Sequence, residues 1–325
     1  MVHAEIRIPV LHCTQQYDEH GNSEPYLWFA YFWADATTIH DSDPIKVFVP
    51  SVPDTRAQYP DNIGNNRDIV IPTQVGQFER NLEGGGFNLA LLGVLAVLFE
   101  EDDTHSDAIA AGYNAFGIAV SRELNAYVNK NGLTPPDNDA LQKIVSGIYT
   151  SVYNAIADKE GWWAGFWDNQ DDYIGYSYAL FLGDQLAEPA TPTVQEVGLA
   201  PIDADAFVAT YTTIPYPHWT YVKVGHNHYE FVRPTLSLST TVVGVCADKV
   251  KAFAAAAETL RKLRDQRNKL KARLAQTPEK EQQSIRKEIA NLKSSEIPAA
   301  ESALDVAAGA LRDCHVLTSI AGNKP

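Results

Sequence analysis

The sequence predicts an α+β protein, in which an antiparallel β-sandwich is interrupted by a helical insertion and followed by an antiparallel helical hairpin. Short apolar runs separated by Pro, Gly, Asn and Asp fill the first hundred residues and return between residues 173 and 243, as is typical of strands and turns. In residues 106–160, and again from residue 248 onward, apolar residues recur every three or four positions, which indicates amphipathic helices.

These elements divide the chain into two predicted domains. Residues 1–245 form the sandwich body, with the helical insertion at about 104–160. Residues 246–325 form a coiled-coil hairpin, because two stripes rich in Leu and Ile are separated by the breaker TPEK at 277–280. Pro278 suits the first turn of the second helix, where its missing N–H costs no hydrogen bond.

The charge of the chain is acidic and unevenly distributed. The 26 basic and 41 acidic residues give a formal net charge of −15. Residues 245–325 hold 15 basic and 10 acidic residues, whereas the body before them holds 11 basic and 31 acidic ones. An acidic body repels the phosphate backbone, so composition argues against nucleic acid as a partner and favours cations.

The cysteines and the amino terminus predict a cytoplasmic protein by default. Cys13, Cys246 and Cys314 are too few and too scattered for a disulfide framework, so we expect free thiols. The amino-terminal sequence MVHAEIRIPVLHC shows no basic region followed by an apolar core, so no secretory signal is visible. The most apolar run, at 87–99, is shorter than the roughly 20 residues of a spanning helix and predicts a buried core element.

An acidic stretch, YDEHGNSEPYLW, lies at residues 17–28. Within it the pattern D-x-x-G-x-S-E-P-Y-L runs from Asp18 to Leu27 into strand-like sequence, and a second stretch, WDNQDDYIG, ends at Gly175. The first pattern resembles the first calcium loop of C2 domains, with Glu24 where that family has Asp. The second pattern is similar to a later C2 loop, and the run LLGVLAVLFEEDD resembles the strand that enters it.

The resemblance implies a C2-like sandwich whose loops bind Ca²⁺, a cation that prefers carboxylate oxygens. The two signatures lie about 150 residues apart, so the resemblance also implies that the helical insertion interrupts a calcium-binding loop. A bound cation would offset the repulsion between the crowded acids. The implied ligands are Asp18, Glu24, Glu101, Asp103, Asp168, Asp171 and Asp172.

A second interpretation applies to the acids before the insertion. Asp102 and Asp103 directly precede the predicted helix at 106–130, and acidic residues stabilise the positive N-terminal end of a helix. For these two residues the sequence leaves helix capping and cation binding open.

His226, His228 and Glu230 alternate along one predicted strand. Side chains two residues apart point to the same face of a strand, and imidazole and carboxylate groups suit Zn²⁺ or Fe²⁺. The alternative is that these histidines are solvated polar residues near a turn. The sequence contains no G-x-S-x-G motif, P-loop or dinucleotide-binding glycine pattern, so no nucleophile is visible.

The tail contains a basic segment, RKLRDQRNKLKAR, at residues 261–273. A basic helix can bind anionic lipid or an acidic protein partner. The same residues also fit the solvated face of a coiled coil, or a contact with the acidic body of the same chain.

Together these features predict a calcium-binding, non-enzymatic module for membrane contact or protein assembly. Two alternatives stay open. One is a membrane-acting, pore-forming or toxin-like protein, in which the hairpin or residues 87–99 insert. The other is a metal-dependent enzyme that uses His226, His228 and Glu230.

Overall fold

The fold combines twelve strands and six α-helices over the part of the chain that the computed structural model describes. That part comprises residues 1–17, 24–39, 41–50, 63–83, 90–100, 106–160, 173–187, 189–211, 219–240, 247–278 and 282–322. The strands are β1 (Val2–Arg7), β2 (Val10–Gln15), β3 (Pro25–Ala34), β4 (Lys46–Phe48), β5 (Arg67–Val70), β6 (Gln77–Leu82), β7 (Leu91–Glu100), β8 (Tyr173–Leu182), β9 (Thr193–Glu196), β10 (Ile202–Tyr211), β11 (Trp219–Val232) and β12 (Thr235–Thr240). The helices are α1 (Thr73–Gly76), α2 (Ser106–Asn131), α3 (Asn138–Glu160), α4 (Ala247–Gln276), α5 (Gln282–Asn291) and α6 (Ile297–Gly322).

Two of the three four-stranded antiparallel sheets are consecutive halves of the same four chain segments. One half has the order β6-β1-β12-β9, and the other has the matching order β5-β2-β11-β10. Arg7 pairs with Thr235, and beyond the break Val10 pairs with Val232, so the register is the same on both sides. The two halves therefore behave as one bent sheet, and the bend divides each segment into two strands.

A proline lies at the corner in each of the four segments. These are Pro9 between β1 and β2, Pro72 after β5, Pro201 before β10 and Pro234 between β11 and β12. Proline has no N–H to give to a strand ladder, so the ladder is interrupted where the sheet turns. The sequence thus places a proline at or near the bend in all four segments.

Backbone hydrogen bonds join the segments across this corner. The Ile71 N–H donates to the Pro9 carbonyl at 2.8 Å, and the Val197 N–H donates to the Pro234 carbonyl at 2.8 Å. Arg233, next to the latter proline, has a left-handed backbone with φ of 52°. The bend is therefore a hydrogen-bonded part of the sheet.

The third sheet, with the order β4-β3-β7-β8, is covered on both faces. Phe29 and Tyr31 of β3 belong to a core shared with the bent sheet, whereas Tyr26 and Trp28 belong to a core shared with α2 and α3. Burial on both faces explains why β3 and β7 are continuous apolar runs without alternation. It also confirms the core prediction for the apolar run from residue 91 to 99.

Helices α2 and α3 pack on the outer face of this third sheet. Gly112 of α2 makes the close approach possible, because a Cβ there would lie 2.7 Å from the Ile156 side chain. The chain leaves the sheet at the end of β7 and returns at the start of β8, where Phe99 pairs with Tyr173. The helical insertion that contains α2 and α3 therefore begins and ends on neighbouring strands.

The tail helices contribute most of a third apolar cluster. Phe253 and Leu260 of α4 share it with Leu304 and Leu311 of α6. Ala36, which follows β3, also belongs to this cluster, so the cluster reaches the body. In the described part of the chain, no helix has both the length and the apolarity needed to cross a membrane.

The cysteine prediction is wrong for Cys314, which is disulfide-bonded. Cys13 is a buried free thiol, as expected. Cys246, the remaining cysteine of the sequence, lies outside the described residues. The predicted α+β class with antiparallel sheets is confirmed, while the resemblance to C2 domains stays a prediction.

Candidate metal centre

A cluster of acidic and histidine side chains lies on the outer face of the β10–β11 pair. Ile202 and Tyr229 point into the core and are fully buried. Because side chains alternate along a strand, their neighbours Asp203 and His228 point outward, and these two residues are cross-strand partners. Asp205 and His226 form the next outward pair.

Three of these side chains converge on one point. One ligand atom each from Asp203, His226 and His228 lie within 4.8 Å of one another. Asp203 Oδ1 contacts Nε2 of His226 and lies 3.8 Å from Nδ1 of His228. The two rings therefore present different nitrogens to the same carboxylate.

The second nitrogen of each histidine meets another carboxylate. The His228 Nε2 faces Glu230 Oε1 at 3.0 Å, and the His226 Nδ1 faces Asp205 Oδ1 at 3.4 Å. A neutral ring that donates from one nitrogen keeps the other unprotonated and able to bind a metal. Outer carboxylates of this kind commonly orient metal-binding histidines in proteins.

A β-bulge adds a cation to the same face. The register of β10 and β11 shifts between Ala206 and Phe207, so that Lys223 pairs with Phe207. This shift carries the Lys223 ammonium onto the outer face, where it contacts Asp205. The ammonium, and to a smaller extent the His226 ring, hold the pKa of the Asp205 carboxyl below its usual range.

The cluster is open to solvent. The side chains of His228, His226 and Asp203 are 25%, 40% and 56% exposed. An ion from solution can reach the three ligand atoms, and further coordination positions point outward. Zinc sites with three protein ligands keep such a position for water or a substrate.

A third histidine lies on the same face, one strand further along. His12 of β2 pairs with Glu230 of β11 on one side and with Asp68 of β5 on the other. The His12 Nδ1 lies 2.6 Å from Asp68 Oδ1. His12 is therefore held by its own carboxylate and does not belong to the converging trio.

The sequence identified His226, His228 and Glu230 but missed both aspartates of β10. The converging trio contains Asp203, and Glu230 contacts His228 from its far side. A signal was present, since the stretch IDADAF at 202–207 alternates in the same way as HNHYE. Only the pairing of the two strands shows that these patterns face each other.

Glu24 is the one residue of the predicted calcium set that the structure describes. The other six, Asp18, Glu101, Asp103, Asp168, Asp171 and Asp172, lie outside the described residues. The Glu24 N–H donates to Glu100 Oε1 at 2.8 Å, and the adjoining Pro25 pairs with Glu100. Phe99 pairs with Tyr173 in the same way. The strand ends that adjoin the three acidic segments therefore meet at one end of the third sheet.

The basic segment 261–273 lies on α4, and part of its charge is used within the tail. Arg261 contacts Glu258 at 2.8 Å, and Arg264 contacts Glu301 at 2.9 Å. The Arg261 guanidinium lowers the pKa of Glu258 to about 2. Three exposed cations, Lys269, Lys271 and Arg273, form no ion pair within the described residues, and neither does the half-buried Arg267.

Comparisons of the chain with models of protein families, with curated proteins and with solved structures find no match. The interpretation of the site therefore depends on its own geometry and chemistry.

Proposed function

We propose that this protein binds one divalent transition-metal ion, of the zinc class, through Asp203, His226 and His228. The observation that carries the proposal is the convergence of one ligand atom from each residue within 4.8 Å. Small side-chain movements bring three atoms at this spacing to the roughly 2 Å metal–ligand distances of zinc sites.

The ligand chemistry supports a transition metal over calcium at this position. Two imidazoles and one carboxylate suit Zn²⁺, Cu²⁺ or Ni²⁺, whereas Ca²⁺ takes oxygen ligands. Asp205 and Glu230, each against a second histidine nitrogen, supply the outer carboxylates that such sites use. Their negative charges also offset the charge of a bound cation.

Metal titration of the purified, EDTA-treated protein tests this proposal. Calorimetry with zinc chloride should show one site in the wild type. His228→Ala should weaken binding more than about 100-fold, because losing an outer partner alone already costs 10–100-fold. His12→Ala is the matched control and should bind as the wild type does, since His12 lies on the same face but outside the trio.

Equal zinc affinity in the wild type and His228→Ala would contradict the assignment. A loss in His12→Ala as large as that in His228→Ala would replace the trio by a diffuse histidine surface.

A second candidate function is calcium binding by the acidic segments, with membrane contact or assembly through the tail. It is supported by the position of three strand ends at one end of the third sheet, where Pro25 pairs with Glu100 and Phe99 pairs with Tyr173. Calcium bound by several carboxylates should raise the melting temperature, and EDTA should reverse the change.

One set of variants distinguishes calcium binding by the acidic segments from zinc binding by the trio. Asp18→Asn and Asp172→Asn should weaken the calcium effect and leave zinc binding unchanged, whereas His226→Ala should do the reverse. A melting temperature indifferent to millimolar calcium would remove the second candidate.

A further inference from the structure

A small apolar cavity lies between the third sheet and the helices α2 and α3. Its volume is about 50 Å³. Phe32 and Leu95 form its floor on the sheet side, and Val145 and Ile148 of α3 form its roof. It is also lined by Thr134, an exposed residue of the connection between the two helices, so the cavity reaches the surface there.

None of the described residues that line the cavity is charged, and two of the three among them that bear a hydroxyl are already hydrogen-bonded. The Tyr127 hydroxyl donates to the Pro135 carbonyl at 3.1 Å, and the Thr134 hydroxyl donates to the Asn131 carbonyl at 3.3 Å. The third is Tyr178 at the sheet edge. An ion would lose its hydration inside without gaining partners, so the lining favours an uncharged, apolar group.

The size of the cavity limits the ligand. A water molecule needs about 10–15 Å³ of such volume, so the cavity of about 50 Å³ has room for roughly three to five water-sized groups. Several large apolar side chains beside it are only half-buried, which extends the apolar surface outward. These are Leu124, Val128, Leu141 and Leu180.

A glycine of the sheet keeps the cavity open. The ring of Phe32 lies against Gly93 of β7, where a Cβ would overlap the ring. A side chain at residue 93 would displace the ring, which itself lines the cavity, and glycine avoids this. Protein interiors are normally close-packed and cavities cost stability, so a space maintained in this way is unusual for a simple packing defect.

We propose that this cavity binds the end of an uncharged alkyl chain, with the polar head of the ligand remaining in solvent near Thr134. The chain end fills the space above Phe32, and the next carbons lie on the half-buried side chains at the mouth. This site is separate from the metal centre, which lies on the outer face of the bent sheet.

Binding of 1-octanol, compared with 1,8-octanediol, tests the proposal in the intact protein. Both alcohols have the same chain length, but the diol must place a hydroxyl in the apolar end of the cavity. We expect octanol to bind and the diol to bind at least about 10-fold more weakly, because a buried hydroxyl without a partner is costly. Ligand-observed NMR and the ligand-induced rise in melting temperature measure both.

Two variants locate the binding. Val145→Phe fills the cavity from α3, and Thr134→Trp covers the mouth from an exposed position that tolerates a larger side chain. Each should reduce octanol binding at least about 10-fold, while Val194→Phe, at an exposed residue of β9, should not. If Val145→Phe fails to fold, Thr134→Trp still decides the question.

Equal binding of the two alcohols would overturn the proposal, as would absence of octanol binding or wild-type affinity in Thr134→Trp. Any of these results would identify the space as a packing defect only.

Discussion

At the scale of single residues, the two histidines of the proposed metal site are held in opposite orientations. His226 presents Nε2 to Asp203 and His228 presents Nδ1, because Asp205 and Glu230 engage the other nitrogens. Each ring thus has one nitrogen against an outer carboxylate and the other toward Asp203, where we propose that the metal binds. In the proposed site, the two outer carboxylates position the rings and do not themselves belong to the trio.

Glu230→Gln should therefore lower zinc affinity about 10-fold without changing the stoichiometry of one ion. The amide keeps the shape of the side chain but loses the charge that orients His228. Glu196→Gln, at an exposed position of β9, is the matched control and should bind zinc as the wild type does. Calorimetric titration measures both affinities, and an unchanged affinity in Glu230→Gln would show that the ring needs no outer partner.

Lys223→Gln should change zinc affinity in the opposite direction. The ammonium contacts Asp205, which faces the outer nitrogen of His226, so its removal frees this carboxylate for His226 and removes a positive charge from the same face as the proposed ion. We expect tighter zinc binding, with the largest difference from wild type at low ionic strength. Weaker binding in this variant would mean that Lys223 supports the site instead of opposing it.

At the scale of elements, the tail contains an apolar seam and a disulfide-bonded cysteine. An apolar seam links α4 to α6, and α6 also carries the disulfide-bonded Cys314. A disulfide stabilises chiefly by restricting the unfolded chain, and the effect is typically 2–4 kcal/mol. The stability of the tail should therefore depend on redox conditions, whereas that of the body should not.

Reduction with dithiothreitol, or the substitution Cys314→Ser, should lower the temperature at which helical circular dichroism is lost from the tail. Cys13→Ala, which removes the buried free thiol, should leave this sensitivity to reduction unchanged. Peptide mapping under non-reducing conditions identifies the bonded partner. Identical melting of the oxidised and reduced protein would show that the apolar seam alone holds the helices together.

At the scale of the whole molecule, charge is separated between an acidic body and a basic tail. The cations of α4 fall into two groups, those paired within the tail and those without an ion pair in the described part of the chain. Arg261 and Arg264 belong to the first group, and Lys269, Lys271 and Arg273 to the second. The second group is the surface we expect an anionic membrane to meet.

Replacing Lys269, Lys271 and Arg273 by Gln should reduce cosedimentation with vesicles that contain phosphatidylserine. Each basic residue near such a surface contributes about 1 kcal/mol, so the triple variant should lose roughly 100-fold in partitioning. Replacing Arg261 and Arg264 by Gln is the control and should have a smaller effect. Equal effects, or binding that is insensitive to salt, would argue against this surface, and dye leakage from the vesicles would favour the pore-forming alternative.

The sequence by itself determined the features that depend on local periodicity. The class, the helices at α2 and α3, the buried run at β7 and the shared face of His226 and His228 all follow from which residues are apolar and how they are spaced. These features can be predicted locally because side chains alternate with period two along a strand and recur with period 3.6 along a helix, whatever surrounds the element. The calcium loops are local patterns too, but six of their seven residues lie outside the described part of the chain.

Only the tertiary structure decided what faces the histidines. Asp203 joins the trio because β10 pairs with β11 in one particular register, which no local pattern specifies. Strict alternation would place Lys223 on the opposite face from His226, and the β-bulge reverses this. The bend at the four prolines likewise arises from segments far apart in sequence. Their physical reason is the same: pairing between distant segments is set by the packing of the whole core, whereas periodicity records only the burial of each segment.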